Sequence, residues 1–107
     1  MKKIKSENEL MDIINSNDVV VCKWGARWCS PCRVVEGNIN EIEKSNADLA
    51  EFVEVDVDEV DEEFAEKNKI MNIPVLQFYK SGNLIDRTVG LITESDLLSK
   101  IIELKSK

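Results

Sequence analysis

Apolar positions along this chain follow two different periods, and the switches between them mark out the elements. Val19-Val20-Val21-Cys22-Lys23-Trp24 is a nearly unbroken apolar run after Asn17-Asp18, the pattern of a central strand covered on both faces. Lys23 is its anomaly. Phe52-Val53-Glu54-Val55-Asp56-Val57-Asp58 alternates and predicts a second strand. Val75-Leu76-Gln77-Phe78-Tyr79 predicts a third, Ser81-Gly82-Asn83 is a hairpin turn signal, and Leu84 to Val89 predicts the return strand before Gly90.

Between the strands the spacing becomes helical. Ser6 followed by Glu9 makes a capping box, with Leu10, Ile13 and Ile14 as the apolar face of a helix ending near Asn15. Ile4 is expected in a short edge strand before it. Pro31 suits a first helical turn, and Val34, Val35, Ile39 and Ile42 continue at helical spacing towards Lys44, with Gly37 a weak point inside. Val60 to Asn68 reads as an acidic helix that buries Phe64. Thr93 with Asp96 caps a last helix whose Leu97, Leu98, Ile101 and Ile102 are expected to face inward, with Lys100 and Lys105 in its later turns. Strands joined through helices imply a parallel half, and the hairpin adds an antiparallel half. The prediction is an α/β fold: a central mixed sheet flanked by helices on both faces.

Composition narrows the function classes. A chain of 107 residues, 43% apolar and without a Ser/Gly-rich linker or repeat, is expected to form a single domain over 1–107. Its net charge of −7 argues against nucleic acid and anionic membranes as partners. No apolar run approaches spanning length and none follows the basic start, so a cytoplasmic protein is expected. Three cysteines are an odd count, which disfavours a structural disulfide framework and favours a reactive or ligating pair. Histidine is absent. That removes the usual general base and the commonest transition-metal ligand together.

The chemistry therefore concentrates in KWGARWCSPCR, residues 23 to 33, where a strand hands over to a helix. Unpaired N–H groups and the positive end of the macrodipole stabilise an anion at a helix N-terminus, so Cys29 is the candidate nucleophile. Cys32, about one helical turn further in, is close enough to close a disulfide with Cys29 and would act as the resolving thiol. Exchange of this kind requires neither histidine nor metal, and the site's only redox group is the Cys29/Cys32 disulfide itself, with no separate cofactor. The competing readings are half a zinc site, which would need two further ligands from Cys22 or carboxylates, and a structural pair of buried cysteines. Cys22, mid-strand among valines, reads as a small core residue.

The WCSPC segment after a buried strand, the Ile73-Pro74 step before a hairpin, and the element order resemble the thioredoxin family across nearly the entire chain. Asp56-Val57-Asp58, Lys80-Ser81-Gly82 and Val89-Gly90 match it outside the CxxC. The resemblance implies a thioredoxin fold and a protein-disulfide reductase that cycles between a Cys29/Cys32 dithiol and its disulfide. It implies oxidised protein substrates, recharging by a thioredoxin reductase or an equivalent electron donor, and a monomer. By position Trp28 is the aromatic flank, Ser30 and Pro31 the spacer, and Pro74 the cis-proline opposite the disulfide. A cis Ile73-Pro74 bond would let residue 73 present its N–H and C=O to an extended substrate, with Gly90 keeping that groove open. A trans proline at the start of an edge strand is the alternative. The same fold dedicated to one partner, or a non-catalytic binding module, are the competing functions.

The chain departs from the family at four places. Ser30 stands where most thioredoxins have glycine, Gly37 where many have a kinking proline, and Gly25 where tryptophan is common. Lys23 falls where they usually carry a buried aspartate and Glu54 where they carry its lysine neighbour, so the charges are exchanged. In the family the carboxylate is thought to help deprotonate the resolving thiol; here that base would be Glu54, or Lys23 as a neutral amine. Alternatively Lys23 snorkels from the strand end to water. An unpaired cation ~6 Å from a thiolate is worth on the order of 2 to 3 kcal/mol at an effective dielectric near 20. That favours the reduced form and, at about 30 mV per 1.4 kcal/mol, raises the potential by tens of millivolts less what Glu54 cancels.

Overall fold

The most apolar run becomes the middle of the sheet. The computed structural model describes residues 1–107 as β1 (Lys2–Lys3), α1 (Glu7–Ser16), β2 (Val19–Gly25), α2 (Ser30–Ser45), β3 (Glu51–Asp56), α3 (Glu62–Lys67), β4 (Val75–Lys80), β5 (Asn83–Val89) and α4 (Glu94–Lys105). The five strands lie in the order β1-β3-β2-β4-β5. β1, β3 and β2 are parallel neighbours, while β4 runs antiparallel to both β2 and β5. All seven residues of β2 are buried, because helices cover both faces of it and strands flank both edges.

Alternation along β2 divides the core. Val20, Cys22 and Trp24 face Leu10 and Ile14 of α1 and Phe64 of α3. Val19 and Val21 face Val35, Ile39 and Ile42 of α2 and Leu97, Ile101 and Leu104 of α4. The thioredoxin-type mixed sheet with helices on both faces is the observed architecture. On the α1/α3 side the buried Gln77 accepts the indole N–H of Trp24 at 2.8 Å and donates to Asn68 at 3.3 Å, and Asn68 donates to Glu7 at 3.0 Å. A buried amide so partnered avoids the penalty of an orphaned polar group.

The caps follow the sequence signals. Ser6 Oγ accepts the N–H of Glu9 at 3.2 Å and Thr93 Oγ1 that of Asp96 at 3.1 Å. Several boundaries and facings differ. The acidic helix is shorter than Val60 to Asn68, because Asp61 takes the N-cap position and Val60 lies in the preceding bend. Val34 and Ile102 are exposed, since each lies one position off the stripe that its helix lays on the sheet. Ile4 stands just beyond β1 yet is fully buried, its N–H donating to Glu54 O at 2.9 Å.

Candidate active site

Ala26-Arg27-Trp28-Cys29 carries the chain from β2 into α2. Cys29 is the N-cap of α2, with extended backbone (φ −93°, ψ 107°), and its Sγ accepts the N–H of Cys32 at 3.3 Å. The sulfur thus occupies the place a capping oxygen fills in other helices. Pro31 sits in the first turn, where its missing N–H has no partner to lose. Cys29 and Cys32 are joined as a disulfide with a Cα–Cα separation of 5.2 Å, inside the usual range. Cys29 is 6% exposed and Cys32 1%. Once the bond opens, the first sulfur faces helix N–H donors that favour its thiolate.

Opposite the disulfide the Ile73-Pro74 peptide is cis, as expected for Pro74. Ile73 packs against the cluster formed by Ala26, Cys29 and Cys32. Its own N–H and C=O enter no backbone hydrogen bond of the chain. Gly90 donates its N–H to Pro74 O at 2.8 Å with φ +89°, and nothing lies within 4 Å of where a Cβ would stand. Ile73 therefore stands beside Cys29, and Gly90 is tied to the buried Pro74 that follows it.

Trp28 is 69% exposed, yet its indole N–H is held by Asp58 Oδ2 at 2.7 Å. Asp58 is in turn fixed through its own N–H, which donates to Asp56 Oδ1 at 2.9 Å. Ser30 is exposed on the first turn, where Arg33 donates to its Oγ at 3.3 Å and to Arg27 O at 2.6 Å.

Lys23 is buried, 6% exposed, and is the cross-strand partner of Glu54 in the parallel β2/β3 pair. Its position beside Glu54 matches the exchanged family pair, but Lys23 joins none of the molecule's ion pairs. Its side chain lines an open cavity of about 440 Å³ together with Glu54, Gly25, Arg33 and Glu36. A Cβ built on Gly25 would stand 3.2 Å from Lys23 Nζ and 3.2 Å from Cys32 Sγ. The amine and the resolving sulfur therefore lean over the same glycine.

Cys22 is fully buried in the α1-facing core with no sulfur partner, and burial pushes its thiol far up. Nowhere do three or more Cys, Asp or Glu side chains gather in an arrangement that could hold a metal ion. No helix is long and apolar enough to cross a membrane. Sequence reasoning missed Met71 and Leu91, both exposed next to the groove, and the anchoring role of Asp58. Two exposed apolar residues flanking Ile73 and Gly90 were the available signal for the first two.

The family model described as Thioredoxin matches residues 1–103. The thioredoxin of Mycoplasmoides gallisepticum is 32% identical over 97 residues, covering 91% of this chain and 95% of that protein. The solved structure of Plasmodium falciparum thioredoxin superposes with a TM-score of 0.83 at 33% identity, covering 96% of this chain and 98% of that one. A structure from work on the thiol resolving mechanism of a yeast mitochondrial 1-Cys peroxiredoxin via glutathione/thioredoxin systems matches with a TM-score of 0.86 at 26% identity, over 97% of this chain and 95% of that one.

Proposed function

The chain belongs to the thioredoxin family and is a thiol–disulfide oxidoreductase acting on protein disulfides, and we propose that it works as a reductant through Cys29 and Cys32. Cys29 Sγ attacks a sulfur of the substrate disulfide, whose S–S bond breaks as a mixed disulfide forms and the first substrate sulfur leaves with the electron pair. Cys32 then attacks Cys29 Sγ. The Cys29–Cys32 bond closes and the second substrate sulfur departs, each leaving sulfur taking a proton. An external donor of two electrons, a thioredoxin reductase or its equivalent, reopens the bond.

The order of attack rests on one observation: Cys29 caps α2, whereas Cys32 lies beneath it and is almost wholly enclosed. Ile73 supplies free backbone groups to which an extended substrate segment can add as a strand. Trp28, Met71 and Leu91 supply apolar contact around the groove. One matched structure comes from work on the resolution of a peroxiredoxin thiol by glutathione/thioredoxin systems, and oxidised thiol peroxidases are a fitting substrate class here too. In keeping with its family, the protein acts as a monomeric carrier in the cytoplasm. The test is trapping: Cys32→Ser should accumulate mixed disulfides at Cys29 with oxidised proteins, while Cys29→Ser should not. Equal trapping by both variants, or by neither, overturns the assignment.

A further inference from the structure

A thiol as enclosed as Cys32 ionises with difficulty unless a positive charge compensates the lost hydration. The open cavity that Lys23 lines supplies one. Lys23 Nζ and Cys32 Sγ both lie 3.2 Å from the point a Gly25 Cβ would occupy, so they are separated by no more than twice that distance. The remaining charges on the cavity are Lys3 of β1, Arg27 of the connecting loop, Arg33 and Glu36 of α2, and Glu54 and Asp56 of β3. Most are engaged elsewhere. Lys3 and Arg27 pair with Glu59, and Arg33 donates to Arg27 O and Ser30 Oγ. Asp56 accepts the N–H of Asp58. Lys23 alone combines burial, proximity to sulfur and the lack of any ion-pair or hydrogen-bond partner within the chain.

We propose that the Lys23 ammonium is the counter-ion of the Cys32 thiolate, a positioning residue that readies the resolving sulfur for its attack on Cys29. This rests on the dithiol cycle proposed above. In the mixed disulfide, Cys32 gives its proton to solvent through the cavity and its sulfur remains as an anion facing Lys23. The anion attacks Cys29 Sγ, the bond from Cys29 to the substrate breaks, and the electron pair leaves on the substrate sulfur, which takes a proton. Glu54, on the same face of the neighbouring strand, opposes the effect in part.

The sign follows from charge. Lys23 stabilises a thiolate that exists only in the reduced protein, so it makes the protein more oxidising, and only at pH values where Cys32 ionises. The experiment uses the full chain carrying Cys29→Ser and follows alkylation of Cys32 by iodoacetamide against pH, with the modified residue identified by mass. Adding Lys23→Met should raise the midpoint by about one unit, roughly tenfold less thiolate below it. Glu54→Gln should lower the midpoint by about half a unit, and it keeps the proposal testable should Lys23→Met fail to fold. With both cysteines present, the redox potential of Lys23→Met should fall below that of the parent, the gap opening as pH rises through the Cys32 midpoint and approaching ~30 mV per tenfold. A merely structural lysine would give no such pH dependence. Midpoints unmoved by either variant overturn the proposal, while success of the Cys32→Ser trap would leave the dithiol cycle standing.

Discussion

The indole N–H of Trp28 donates to Asp58 Oδ2 at 2.7 Å, tying the residue before the nucleophile to the turn that follows β3. An exposed ring would otherwise sample several rotamers, and ordering it ahead of binding lowers the entropy a substrate must offset. Asp58→Ala should therefore slow reduction of a protein disulfide several-fold, mainly through KM, and leave the reaction with a small aromatic disulfide unchanged. Because the contact is exposed, the loss of stability should not exceed about 1 kcal/mol. Steady-state kinetics with the two substrates and a thermal melt check it.

Gly25 is the second test position. A methyl group there would press on Cys32 Cβ and Sγ as well as on Lys23 Nζ, each at 3.2 Å. The lysine can swing away, but the sulfur, held in a disulfide at a helix start, cannot. Gly25→Ala should cost about 1 to 2 kcal/mol by urea unfolding of the oxidised protein and less once the disulfide is reduced.

Gly90 tests the groove. Its φ of +89° is a backbone state that L residues enter at a cost, although space for a side chain is open. Gly90→Val should destabilise the fold by about 1 to 2 kcal/mol and raise KM for protein disulfides more than it lowers the rate with a small disulfide.

Cys22 should be silent. Fully buried and with its thiol pushed up by burial, it should resist alkylation near neutrality. Native reduced protein should leave Cys22 unmodified, oxidised protein should take up no alkyl group, and denatured reduced protein three; mass spectrometry counts and places them.

Two surface carboxylates make a small part of the stability depend on acid pH. Asp18 is held below the usual range first by the hydrogen bond from Lys80 and then by that from Ser81, and Asp86 first by Lys100 and then by the N–H of Arg87. A lowered folded-state value means stability that is present above the unfolded carboxylate value and lost as pH falls through the folded one. Asp18→Asn and Asp86→Asn should each be somewhat less stable than the parent at neutrality, and the difference should shrink as pH falls through the lowered folded-state values. Chemical unfolding across that window measures it.

Much of this was legible before any coordinates. Strand periods placed β2 at the centre, and the Ser6 and Thr93 caps formed as their spacing required. The two cysteines at a strand-to-helix junction led to the site from local chemistry alone. The rest depends on relationships between elements. That Ile102 faces water follows from how α4 lies on β4, and that Asp58 reaches Trp28 from how β3 ends beside β2. Lys23 shows the boundary most clearly. Its strangeness was visible in an apolar run, but an open gap to Glu54 and a shared position over Gly25 with Cys32 are facts of side-chain direction across two strands and a helix.

The hydrogen-bond chain from the Trp24 indole through the amides of Gln77 and Asn68 has a consequence for the groove. Oil-like packing tolerates small slips, whereas a line of directional donors and acceptors tolerates few. Asn68 sits at the start of the stretch that leads to Ile73, and Arg87 of β5 donates to both Asn68 O and Lys69 O. The level at which Ile73 rides over the sulfurs is thus gauged from beneath the opposite side of the sheet, by groups that never meet a substrate.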